Sequence, residues 1–265
     1  HNPIFLISQE LFSQGQFQKV AYNLKDCGIN EQNSISLKYL SKLLDIQREI
    51  DQKVPDNATF LGSLPVSGNS NYESFSSLIQ EMTPLYESSQ LDPLNLYIYA
   101  AVLSKGGRYK ESIPILIDSI NGFPLNRSAF RLLLSILLRF DTAFILKSIE
   151  SFNPKISNHW MTVFFKIELF SEIQKADEVS LNLLEEVLKT QLKVPRVSSV
   201  IALEARVHYH RRDFDTSQTL FKELRQVDPL HLEGLELYSN ILYINGDIGA
   251  LSELSQSLSQ TNKFR

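Results

Sequence analysis

The sequence predicts an all-α protein, an α-solenoid of about seven helical hairpins, some of them degenerate. Three observations lead there. Helix-ending prolines recur at a quasi-period: Pro93, Pro124, Pro154, Pro195 and Pro229 lie 31, 30, 41 and 34 residues apart. Between them apolar residues return at the three-and-four spacing of a helix face. The chain of 265 residues is 43% hydrophobic yet has only 10 glycines, which supplies ample core for helices.

The clearest unit is Ser198 to Pro229. Ile201, Ala205 and Val207 mark a first helix, Arg211-Arg212-Asp213 a turn, and Phe214, Ser217, Leu220, Phe221 and Leu224 a second helix that stops at Asp228-Pro229. A unit of about 34 residues with a small residue in helix one and an aromatic after the turn resembles a tetratricopeptide repeat. Small residues let the helices approach, and aromatics fill the gaps between them. One such hairpin leaves an apolar face open, so neighbours stack on it. The resemblance implies a right-handed superhelix and a single array over residues 1–265.

The other elements follow in order. Ile4, Ile7, Ser8 and Leu11, then Gly15 and Phe17, Val20, Leu24 and Cys27, repeat the pattern. Ile35 to Ile50 is a long amphipathic helix with Leu37, Leu40, Leu43, Leu44 and Ile46 on its apolar side. Residues 53–71 hold Pro55, Gly62, Pro65 and Gly68 and read as a flexible loop inserted in the second hairpin. Pairing resumes at Tyr72 to Gln90. Leu96, Tyr99, Ala100 and Leu103, the Gly106-Gly107 turn, Tyr109 and Leu116 make another clear unit, with Pro114 in the first turns of its second helix. Arg127 to Glu150 is degenerate, with a short second helix. Ser157 to Ile173, carrying Trp160, Phe164, Phe165 and Phe170, pairs with Ala176 to Gln191. Leu232, Leu235, Tyr238, Leu242, Gly246-Asp247 and Leu258 close the series.

Composition narrows function. The net charge of −4 gives no positive field for nucleic acid or an acidic membrane. No apolar run reaches the roughly 18–20 residues that span a bilayer. The single cysteine, Cys27, excludes an internal disulfide framework and fits a reducing, intracellular compartment. The chain starts at His1 rather than Met and reads as an excised segment.

No constellation suggests catalysis. His208 and His210 are two apart on a helix, where side chains diverge, and with His231 they make a poor metal set. His208 stands where the repeat usually packs a tyrosine, so it reads as core. Cys27 reads as a buried, inert thiol. Glu185 and Glu186 are adjacent and splay apart, and Gly246-Asp247-Ile248-Gly249 lacks the strand-to-helix setting of a phosphate loop. Two Asn-X-Ser/Thr triplets, at Asn57 and Asn126, carry no weight without a secretory signal. No cofactor, metal or small-molecule substrate is expected. Arg206, Tyr209 and His210 lie on the helix face that would line the inner groove, a candidate seat for an acidic partner segment beside the alternative of a solvated helix end.

From Trp160 onward the residue order becomes specific. Trp160-Met161-Thr162-Val163-Phe164-Phe165, Arg212-Asp213-Phe214-Asp215, Phe221 to Pro229, Ser239 to Tyr243 and Thr261 to Arg265 resemble the tetratricopeptide scaffold-subunit family of the anaphase-promoting complex, subunit eight or cell-division-cycle twenty-three. Leu91-Asp92-Pro93 and Leu96 to Tyr99 are similar too. The resemblance implies a non-catalytic part of a multisubunit ubiquitin ligase acting in mitosis, in nucleus and cytoplasm. The partners it implies are a second copy of the chain and other scaffold subunits. It also implies dimerisation through the N-terminal repeats: Ile4, Phe5, Leu6, Leu11 and Phe12 would dock against a groove bearing Tyr97, Ala101 and Lys105. Further repeats would follow this N-terminal half. The alternative is an adaptor that binds a short peptide in its groove.

Overall fold

The computed structural model describes residues 3–26, 28, 31–53, 69–157, 159–173 and 197–261. All regular structure among them is helical: α1 Pro3–Ser13, α2 Phe17–Asn23, α3 Gln32–Lys53, α4 Asn69–Glu87, α5 Pro93–Lys105, α6 Tyr109–Gly122, α7 Arg127–Leu137, α8 Thr142–Glu150, α9 Pro154–Ser157, α10 Trp160–Glu172, α11 Ser198–His210, α12 Phe214–Val227, α13 Leu235–Ile244 and α14 Ile248–Thr261. These are the helical hairpins that the sequence predicts. The chain divides into two compact units, His1–Ile156 and Ser157–Arg265.

In the first unit, α5 and α6 form the most intimate pair, flanked by α4 and α7, while α1 packs on α2 and α2 on α3. Ala100 is fully buried, and Ser112 of the facing helix donates its hydroxyl to the Ala100 carbonyl at 3.0 Å. A methyl group and a short hydroxyl thus set the approach of two helices. The turn between them needs one left-handed residue, and Gly107 supplies it at φ 77°. Asp92 opens α5 by accepting from the Asn95 N–H at 2.8 Å.

Pro93 differs from its expected role. It is the first residue of α5, not the end of α4, and Pro154 likewise opens α9. Proline fits the first helical position because the N–H it lacks would have no partner there. Pro114 is the sixth residue of α6, beyond the four N–H groups that go unpaired at a helix start, so it does forfeit a backbone bond. Helix α3 also buries differently. Ile35 and Tyr39 are its core residues, with Ser34, Ser36 and Ser41, whereas Leu37, Leu40, Leu43, Leu44 and Ile46 are half-buried. Lys53 still belongs to α3 and residues 69–71 to α4. Of the expected 53–71 insertion, residues 54–68 lie outside the described residues, as do Cys27, the helix at Ala176 to Gln191, and Pro195. Helix α8 is short, as expected of a degenerate unit.

In the second unit, α11 and α12 repeat the α5–α6 hairpin. Ala205 is fully buried, and Ser217 donates to the Ala205 carbonyl at 2.8 Å. The residues before the second helices match in backbone angles, Arg108 at −86°, 55° and Asp213 at −85°, 73°. So do the residues after them, Phe123 at −143°, 84° and Asp228 at −140°, 88°. Every equivalent pair is 105 residues apart, so the two hairpins align without a gap. Around them, Ile201, Leu220, Phe221 and Leu224 join Leu235, Tyr238, Ile241, Leu242 and Leu254 in one core, with Phe221 stacked on Tyr238 at 5.4 Å. Val163 and Ile167 of α10 meet Leu203 and Val207 in a second core covered by Trp160 and Phe164. Of the α10 aromatic residues expected in the core, Phe165 is buried, whereas Trp160 and Phe164 are half-buried against the core's edge.

Candidate interaction surfaces

Helix α1 turns Phe5, Ser8 and Phe12 toward its neighbours. Ser8 is fully buried, its hydroxyl satisfied by the Ile4 carbonyl at 2.7 Å, and Phe12 meets Phe17 with ring centroids 5.4 Å apart. Ile4 and Ile7, three residues apart, share an exposed side at 50 and 57% exposure, and Leu6, two residues from Ile4, is 51% exposed on another side of the helix. The five residues expected at an interface therefore divide. Ile4 and Leu6 are open, whereas Phe5, Leu11 and Phe12 are half-buried against the chain's own helices. Ile7, placed by sequence in the repeat's packing pattern, is the most exposed of the set.

Tyr97, Ala101 and Lys105 stand at i, i+4 and i+8 of α5 and so share one face. The first two are half-buried and Lys105 is exposed. Helix α5 packs on α3, α4, α6 and α7, whereas α1 packs on α2 and α3. The α1 residues and the α5 residues are thus separate surfaces of the first unit.

In the second unit Arg206 and His210 do share a face of α11, but Arg206 is not a free cation. Its Nη1 lies 3.7 Å from Glu172 Oε1 at the end of α10. Burial holds the His210 imidazole below its ordinary pKa, the Glu172 carboxylate opposes that, and Arg206 reinforces it. Tyr209 packs edge-on against Phe214 at 5.6 Å, part of the hairpin core. Sequence reasoning missed Glu172. No pattern in the sequence signals it, since Glu172 is the last residue of α10 and Arg206 the ninth of α11.

His208 differs from the expected core histidine. Its Nδ1 lies 3.0 Å from Asp213 Oδ2, and Asp213 in turn caps α12 by accepting from the Thr216 N–H at 3.3 Å. The bonds from Thr216, with His208 adding to them, hold the Asp213 carboxyl below the usual range. The ring serves the turn rather than the core. Among the described residues no three His, Cys, Asp or Glu side chains converge as a metal-binding group, and no helix is long and apolar enough to cross a membrane.

Comparison with known proteins assigns the family. The family model described as anaphase promoting complex subunit 8 / Cdc23 matches residues 1–193. The chain belongs to this family. It is 26% identical over 264 residues to the Arabidopsis thaliana protein named anaphase-promoting complex subunit 8, covering 99% of this chain and 42% of that one. It is 27% identical over 259 residues to the human cell division cycle protein 23 homolog, 96% of this chain and 40% of the relative. With the Saccharomyces cerevisiae anaphase-promoting complex subunit CDC23 it shares 26% over 212 residues, 72% and 33% of the two chains. The chain of this subunit 8 / Cdc23 family member spans about two fifths of the length of the plant and human relatives.

Proposed function

We propose that this chain is a non-catalytic scaffold segment of an anaphase-promoting complex, a ubiquitin ligase of the cell cycle, working in nucleus and cytoplasm. Its hairpins continue as one array that holds neighbouring subunits, and it pairs with a second copy of itself through α1. Family membership supports the complex. The observation that carries the pairing is the exposed aliphatic surface of α1, where Ile4 and Ile7 on one side and Leu6 on another each leave half or more of their surface to water. Full burial of such a side chain is worth about 1.5–3 kcal/mol, so the half still exposed offers about 1 kcal/mol apiece, doubled in a two-fold contact. The face of α5 with Tyr97, Ala101 and Lys105 is the surface against which the partner's α1 would lie.

Light scattering over a dilution series tests this. The monomer mass is 30.3 kDa, and the expected result is twice that value, persisting into the low micromolar range. Ile7→Asp should return the monomer with unchanged helix content, because Ile7 is the most exposed residue of the face. Leu11→Asp is the less discriminating change, since Leu11 is half-buried and its loss also loosens α1 itself. A wild-type chain that is monomeric throughout would remove the pairing and leave the array as a holder of other subunits. The peptide-adaptor reading draws less support. Glu172 already sits beside Arg206 and offsets the charge an acidic segment would seek.

A further inference from the structure

A cavity of about 390 Å³ lies where the end of α4 meets α5 and α6, lined by Tyr86, Glu87, Ser89, Leu91, Leu96 and Asp118. This is the small end of the range for sites that take a specific ligand, about 300–1,000 Å³. Its lining sorts by chemistry. Leu91 and Leu96 supply apolar wall. Tyr86 supplies an aromatic ring, held by its contact with Tyr99 at 5.4 Å. Tyr99 is itself fixed by a 3.1 Å hydrogen bond between its hydroxyl and Thr83 Oγ1. Glu87 and Asp118 supply carboxyl groups, and no lining residue is basic.

Asp118 stands exposed on α6, and among the described residues its carboxyl has no ion pair and no hydrogen bond, which leaves it open to a group arriving from solvent. Desolvation by the atoms packed around it raises its pKa, and its charge acts on the Tyr86 phenol in the same direction. The cavity therefore holds negative charge beside an aromatic face and an apolar wall. An arginine or lysine side chain answers all three at once: its stem lies on leucine, its cation over the ring and against the carboxylate.

We propose that this cavity seats an arginine or lysine side chain projecting from an extended segment of a partner protein. The site lies apart from the α1 face, so it stands or falls independently of self-pairing.

The test is a methyl-detected NMR titration of the 265-residue chain with the capped peptide Gly-Gly-Arg-Gly-Gly. The same peptide with citrulline, which keeps the shape but not the charge, runs beside it. The expected result is saturable shifts of the Leu91 and Leu96 methyls with arginine and none with citrulline. Asp118→Asn should raise the dissociation constant about threefold to fivefold, the effect of losing one partly exposed charge contact. Tyr86→Leu, which keeps Asp118, should weaken binding as well and serves if Asp118→Asn loses the native methyl spectrum. Equal shifts with citrulline would overturn the proposal, as would undiminished binding by a natively folded Asp118→Asn. Spermidine shifting these methyls where the arginine peptide does not would overturn the partner-protein assignment.

Discussion

Arg212 holds φ at 64°, in the left-handed region that costs an ordinary residue about 1–2 kcal/mol. Glycine holds the matching turn position at Gly15, Gly107 and Gly246, with φ of 72°, 77° and 69°. In each turn the residue two places on starts the second helix: Phe17, Tyr109, Phe214 and Ile248. Arg212→Gly should therefore stabilise the chain by about 0.5–1 kcal/mol after the entropy cost of glycine, read as a higher denaturant midpoint. An unchanged midpoint would mean that the turn is not strained. The same position shows how far sequence reached. Gly15, Gly106-Gly107 and Gly246 were readable as turns because glycine announces them, and Arg211-Arg212-Asp213 only because helices flanked it. Glu172 and Asp118 were not readable as site residues. One is defined by a partner on another helix, the other by the cavity it lines.

Two histidines give the residue scale a pH dependence. His159 caps α10 by accepting the Met161 N–H on Nδ1, which requires that nitrogen to be unprotonated. Burial lowers its pKa and that of His210 below the ordinary 6.5. The unfolded chain then takes up protons before the folded one, so these groups favour folding above pH 6.5 and that advantage is lost as pH falls through and below it. Thermal melts should show stability declining from pH 7.5 to 5.5, and His159→Asn combined with His210→Gln should flatten the decline. A slope that persists in the double variant would assign it to other groups. Asp118, whose pKa is raised, works with the opposite sign and in the carboxylate range.

Among elements, the hairpin is defined by a side chain that hydrophobic patterning ignores. Ser112 and Ser217 are fully buried, each spending its hydroxyl on an alanine carbonyl of the facing helix. Alanine in place of either serine should cost about 1 kcal/mol, and the two losses should add because the sites share no partner. Chemical denaturation of the single and double variants reads this, and a double loss well short of the sum would mean that the hairpins are coupled. Sequence identified Ser217 and Ala100 as small and inward, since both fall on apolar stripes. It did not identify what the hydroxyl does, because a bond to a carbonyl twelve residues back leaves no pattern. Gln32 is a similar case. Its amide donates to the Gln90 carbonyl at 2.9 Å and accepts from Asn95 Nδ2 at 2.8 Å, clasping the starts of α3 and α5. In α3 the leucines dominate the hydrophobic pattern, yet tighter burial went to Ile35, Tyr39 and three serines. Ser36 and Ser41 satisfy their hydroxyls on carbonyls of α3 and Ser34 on the Glu31 carboxylate, so small polar residues pack closer here than leucine does.

For the whole molecule, the period of the prolines and the apolar stripes were enough to give the fold class, because stacked hairpins repeat their requirements. Surfaces are less legible, since exposure depends on which neighbour covers a helix. That is why the α1 residues divided between open and packed. If the chain pairs through α1, its stability must depend on concentration, because association draws the folded state down. Melting temperature should rise with protein concentration for the wild type and be flat for Ile7→Asp. Equal behaviour of the two would detach stability from pairing.

The hairpins Pro93–Phe123 and Ser198–Asp228 coincide residue for residue at a displacement of 105, about three lengths of the 34-residue unit. Their entry angles, exit angles and internal serine bond are alike, so each behaves as an interchangeable cassette with standard ends. Unequal recombination between such segments adds or removes whole cassettes without breaking a helix. A hairpin with such ends can be gained or lost whole while both of its junctions remain ones that already fold.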